Sequence, residues 1–110
     1  MSSVLFKPEV LKYSENLVQI LYESGYFGFR DSAKTYVKEL FDEITATLPK
    51  RLHKPAPNYF EQYGKKMDYA AFRKNKQTIW YVFFETYKEN GEIIYLVRYI
   101  SNNHVIAKYL

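Results

Sequence analysis

Apolar residues recur along this chain with a helical spacing in the first half and a strand spacing from about residue 67 onward. Ser3 to Lys7 can form a short strand. Pro8 then suits the first position of a helix, where its missing N–H would have had no partner. Val10, Leu11, Leu17, Val18 and Leu21 fall on one helical stripe, and Gly25 suits its stop. A second stripe, Ala33, Tyr36, Val37, Leu40, Phe41, Ile44 and Leu48, keeps the three-and-four spacing without a miss. Asp31 or Ser32 is expected to accept hydrogen bonds from its first free amides, and Pro49 to end it. The two helices, joined by a short link, are expected to form an antiparallel hairpin lying on a sheet.

Pro55 and Pro57 hold Lys50 to Pro57 as an extended or turning connector. Asn58 to Gly64 is long enough for a single helical turn. The period then becomes two, which predicts strands over Met67–Arg73, Thr78–Lys88 and Glu92–Ser101, the last two joined at Asn90-Gly91. Both central residues of a type I′ turn need positive φ, which asparagine tolerates and glycine adopts freely. With those two as the turn, Glu89 opposes Glu92, Phe83 opposes Arg98 and Tyr81 opposes Ile100. One face then holds Tyr81, Phe83, Glu85, Tyr87, Ile94, Leu96, Arg98 and Ile100; the other holds Trp80, Val82, Phe84, Tyr95, Val97 and Tyr99. Both faces are largely apolar, so helices should cover one, and loops, a tail or a partner the other. A mid-strand charge such as Arg98 belongs on the side away from the helices, with Glu85 one diagonal step away as a possible mate.

Composition narrows the function. The 110 residues, 47% hydrophobic and 19% aromatic, suit one folded domain, 1–110, with a core of its own. Cysteine is absent, which removes disulfides, thiolate metal sites and cysteine nucleophiles. With two histidines and no His/carboxylate cluster, neither metal nor cofactor chemistry is expected. No serine stands in a nucleophile-elbow context. Neither a secretory leader nor a membrane span is legible, so a cytoplasmic setting is expected. The formal charge of +4 favours an acidic partner, either nucleic acid or protein. Lys50, Arg51, His53 and Lys54 form the most basic run, which either lies along phosphates or is a solvated loop.

The order of elements is similar to the RelE/ParE superfamily of type II toxin–antitoxin toxins. Val4-Leu5-Phe6-Lys7-Pro8-Glu9 opens into a helix, a second amphipathic helix and a connector follow, and Trp80-Tyr81-Val82-Phe83-Phe84 and Leu96-Val97-Arg98-Tyr99-Ile100 supply the strands. The resemblance implies an α+β fold, an N-terminal strand and two-helix hairpin packed on one face of an antiparallel sheet. It also implies an acidic or amphipathic antitoxin that covers the open face, with no membrane partner. Two activities follow from it: RelE-like members cut mRNA on the ribosome, and ParE-like members inhibit DNA gyrase without covalent chemistry.

Metal-free RNA cleavage needs a base for the ribose 2′-OH, a cation for the growing phosphate charge and an acid for the leaving oxygen. Carried onto this chain, Arg73 and Arg98 would hold the phosphate, and His104 would exchange protons. Glu85 would be an alternative base, and Tyr109 would stack a base or assist proton transfer. Lys74 and Lys76 would contact backbone phosphates, as would Lys50, Arg51 and Lys54. The tail Ser101-Asn102-Asn103-His104 replaces the shorter Arg-to-His-Gly link often seen in the ParE-like branch, a departure that bears on what role His104 inherits. The complementary charges of Arg73, Arg98 and His104 tilt the expectation toward a ribonuclease. The other readings are gyrase inhibition, a noncatalytic protein-binding module on the same fold, and RNA binding without cleavage.

Overall fold

A computed structural model describes residues 2–25 and 27–110. Strand β1 (Ser2–Phe6) leads into helices α1 (Pro8–Glu23) and α2 (Arg30–Thr47). Then come β2 (Lys54–Pro55), β3 (Asp68–Arg73), β4 (Ile79–Glu89), β5 (Glu92–Asn102) and the short helix α3 (Asn103–Ile106). Single 3-10 turns lie at Leu48–Lys50, Asn58–Gln62 and Ala107–Tyr109. The fold is α+β, with the sheet in the order β1-β5-β4-β3-β2. It is mixed, because β1 runs parallel to β5 while every other pair is antiparallel. That parallel strand brings Val4 and Phe6 into the layer beneath the helices, where Phe6 meets Phe41 at 5.3 Å.

The predicted stripes face the core except at Leu11, which is 50% exposed. Val10, Leu17 and Leu21 of α1 and Ala33, Val37, Leu40 and Ile44 of α2 pack on Phe72, Trp80, Val82, Phe84, Val97 and Ile100 of the sheet. A second core fills the opposite face: Phe60, Met67, Phe83 and Ile106, flanked by Tyr63, Tyr69, Tyr81, Tyr99 and Tyr109. The connector and the C-terminal tail together cover this face, as its apolar side chains required.

Three local expectations are corrected. Helix α2 begins at Arg30 behind an extended Phe29 with no side-chain cap; Asp31 instead lies inside the first turn, where its charge meets the free amides. Part of the connector, Lys54–Pro55, joins the sheet at its edge against Tyr69 and Asp68, a place where a proline removes no ladder bond. The third correction concerns register. Asn90 (φ 52°) and Gly91 (φ 79°) form the expected turn, and pairing runs as predicted from Glu89↔Glu92 to Phe84↔Val97. There the ladder shifts, so Phe83 faces Tyr99 and Tyr81 faces Ser101. Arg98 is the extra residue of a β-bulge. An extra residue reverses the faces of all that follow, so Ile100 joins the helix-side core and Tyr99 turns to the outer face.

Candidate functional site

The bulge directs Arg98 to the outer face, where its Nη1 donates to Glu85 Oε1 at 2.6 Å and its Nε donates to the Tyr63 carbonyl at 2.8 Å. Gly64 lies against it. A Cβ there would stand 2.8 Å from both Cδ and Nε of Arg98, so any larger residue would force the Arg98 side chain or the Asn58–Gly64 segment to shift. Beside it opens a cleft of about 570 Å³, lined among others by Lys7, Tyr13, Gln62, Tyr63, Tyr99 and Val105. β1 pairs with β5 only as far as Val97, and the cleft lies along the part of β5 beyond it.

Stacking orders the rings of the cleft and of the outer layer next to it. Tyr63 lies on Tyr99 with centroids 3.8 Å apart and planes 5° apart, and Tyr59 lies on Tyr109 at 3.6 Å and 3°. Burial, with Tyr99 nearby, pushes the Tyr13 phenol up to about 12. Burial and a hydrogen bond with Tyr99 push Tyr63 up to about 12 as well. In both, the neutral phenol is the folded form, whereas an unfolded tyrosine ionises near about 10. The native state therefore holds more protons than the unfolded one between about pH 10 and pH 12, and stability should fall across that window and be untouched below it. A spectrophotometric titration should show at least two of the twelve tyrosines lagging the rest in the folded protein and joining them in denaturant. Co-titration of all of them near pH 10 in the folded protein would contradict this packing.

A second group gathers at the β3–β4 turn. Arg73 Nη1 donates to the carbonyls of Asn75 (3.4 Å) and Lys76 (3.2 Å). Lys74 reaches Glu43 at 3.4 Å and stands over the Tyr36 ring, while Lys76 is exposed. His104 Nε2 lies 3.3 Å from Thr78 Oγ1. Two asparagines brace the turn: Asn75 Oδ1 accepts from the amides of Gln77 and Thr78, and Asn103 bridges the Ile79 amide and the Gln77 carbonyl. An asparagine accepting from the amide two residues on is a turn signal that local sequence carries. The contact of Asn103 with a strand far away in the chain has no such signal.

The connector residues occupy a third place. Arg51 is consumed structurally, paired with Glu43, bonded to Thr47 Oγ1 and the Ala71 carbonyl, and stacked over Phe72. Lys50 and Lys54 are exposed. His53 Nε2 donates to the Leu48 carbonyl, and the ring sits edge-on to Phe84 at 4.7 Å. Tyr109 packs on Tyr59, and Leu110 closes a groove with Arg51, Lys54, Tyr69 and Tyr81.

The residues read from sequence are thus distributed over three places. Arg73, Lys74, Lys76 and His104 meet at the turn, Arg98 meets Glu85, and Lys50, Arg51, Lys54 and Tyr109 lie elsewhere. Thr78, beside His104, and Glu85, beside Arg98, are seven residues apart in sequence along an extended segment, about 23 Å. Sequence reading missed Gln62, Tyr63 and Tyr99, which the bulge and the 3-10 turn bring beside the guanidinium, and Tyr13 of α1, which lines the same cleft. Among the described residues no three His, Asp or Glu side chains converge as a bound metal ion would need, and no helix is long and apolar enough to cross a membrane. No family model, curated protein or solved structure matches this chain.

Proposed function

We propose that this chain is the toxin of a type II toxin–antitoxin pair and that it acts by binding its target, in the manner of a gyrase inhibitor, without cutting RNA. Support for the toxin comes from the RelE/ParE-like element order with the helical hairpin on one sheet face. The observation that carries the mechanism is the separation of Arg98 from His104. Strand cleavage needs a phosphate-holding cation and a proton-transfer group within hydrogen-bond reach of one scissile bond. Here the arginine is neutralised by Glu85 and closed in by Tyr63 on the outer face of the sheet, whereas His104 lines a cleft with Leu21, Tyr36 and Trp80 on the helix side.

The antitoxin that fits is acidic and amphipathic. The chain carries +4, and Leu52, 77% exposed, lies between the exposed cations Lys50 and Lys54. Ribosome-dependent mRNA cleavage is the second reading, favoured by the gathering of Arg73, Lys74, Lys76 and His104 at one turn.

Inducing the gene alone should arrest growth, and co-inducing its neighbouring small acidic reading frame should restore it. Normal growth with the gene alone would count against the toxin. In arrested cells, a loss of negative supercoiling with intact mRNA supports binding to gyrase, whereas codon-aligned mRNA breaks would replace it with the ribonuclease.

A further inference from the structure

A cleft of about 600 Å³ lies at the β3–β4 turn, on the helix side of the sheet. Its inner wall is apolar, made of Leu21, Phe27, Tyr36 and Trp80, and its rim is polar, made of Asn75, Lys76, Gln77, Thr78, Asn102 and His104. The volume falls within the range of small-ligand sites, and an apolar wall with a few convergent polar groups is their usual lining. No carboxylate stands among the described lining residues. Of the acids nearby, Glu43 is engaged by Arg51 and Lys74, Asp31 and Glu39 line the adjoining groove beyond Phe27 and Tyr36, and Lys76 has no carboxylate partner among the described residues. Among the described residues the rim therefore carries one unpaired positive charge, that of Lys76, with the His104 ring and neutral amides beside it. It is also held in place, because Asn75 and Asn103 fix the turn through four hydrogen bonds. The Asn102 side chain fixes the His104 amide.

The geometry points to a nucleotide-binding site in this cleft, one that takes a single nucleotide unit with its base against Phe27 and Tyr36 and its phosphate between Lys76 and His104. An apolar anion such as a fatty acid would leave the Nδ2 donors of Asn75 and Asn102, whose oxygens are engaged within the turn, and the Gln77 amide unused, whereas a base edge presents acceptors to those donors. Inorganic phosphate would leave the aromatic wall uncovered. Lys76 supplies a charge-assisted bond to phosphate. His104 supplies a ring N–H beside the Thr78 hydroxyl, 3.3 Å away. The site does not depend on the toxin reading, and it lies on the opposite side of the sheet from Arg98.

Trp80, the only tryptophan, reports on the cleft directly, since its indole N–H donates to the Tyr36 hydroxyl at 2.9 Å. Titrating the full chain with adenosine 5′-monophosphate should shift its fluorescence saturably. Adenosine and inorganic phosphate should each bind at least about tenfold more weakly, as expected for loss of the stacked ring or of a charge-assisted bond. Lys76→Ala and His104→Gln, both at exposed positions, should each weaken the monophosphate about tenfold and leave adenosine unchanged, with thermal melts confirming the fold. A 5′-phosphorylated single-stranded RNA hexamer distinguishes the sources: tighter binding than the monophosphate assigns the site to an RNA strand, and equal or weaker binding assigns it to a free nucleotide. No saturable shift, phosphate binding as tightly as the monophosphate, or monophosphate binding indifferent to both variants would overturn the proposal.

Discussion

Phe60→Ala is expected to destabilise the fold by about 3–5 kcal/mol, the usual range for a buried phenylalanine cut to alanine. Phe60 is fully buried and stacks on Phe83 at 4.3 Å, with Tyr59 at 5.0 Å and Tyr99 at 6.3 Å. It belongs to a five-residue 3-10 turn, too short to hold itself in place by its own hydrogen bonds. The side chain therefore anchors the whole Asn58–Gly64 cover over Arg98 and Glu85. Its removal leaves a cavity in the smaller of the two cores and lets water reach the ion pair. Urea unfolding measures the loss, and Leu52→Ala, at a position 77% exposed, should change stability by less than about 0.5 kcal/mol. A loss below about 1 kcal/mol for Phe60→Ala would mean that the outer layer contributes little and that its packing is not a second core.

Arg98→Met alone should destabilise by about 2–3 kcal/mol, because it leaves the Glu85 carboxylate, only 19% exposed, without its partner. Pairing it with Glu85→Leu should recover most of that loss, since replacing both members of a buried ion pair by apolar groups is commonly neutral or better. A double variant as unstable as the single one would show that the two charges are not each other's main partners. The same pair of variants separates structure from function. If growth arrest returns together with stability in the double variant, Arg98 acts only through the fold; if arrest stays lost while stability returns, the guanidinium meets the target.

These two tests converge on the place where sequence reading departed from the structure. The pairing of β4 with β5 was legible from Glu89 to Phe84 because Asn90-Gly91 imposes a two-residue turn, and a turn sets the register of the strands it joins. Beyond Val97 the alternation of apolar residues carries no mark of an inserted residue. The strand could have continued with Tyr99 beneath the helices, and the local pattern of Val97 to Ile100 permits either. The bulge resolves a competition between distant groups: the helix-side core takes Ile100, Tyr63 offers Tyr99 a ring to stack on, and Glu85 offers Arg98 a counter-charge. The candidate site suffered the same way. Arg98 with Glu85 was foreseeable from a diagonal step on one face, whereas the distance from Arg98 to His104 depended on where the chain turned after Asn102.

Two amphipathic helices, three antiparallel strands, the position of their tight turn and an arginine outside the helical layer could all be read from the order of residues. Each of these rests on spacings within a few residues of one another. The parallel seat of β1, the recruitment of Lys54–Pro55 to the sheet edge, the reversal of faces at Arg98 and the gathering of Lys76 and His104 around one cleft could not. They depend on contacts between segments far apart in the chain, where the free energy of packing, and no local periodicity, selects among arrangements that the sequence allows equally.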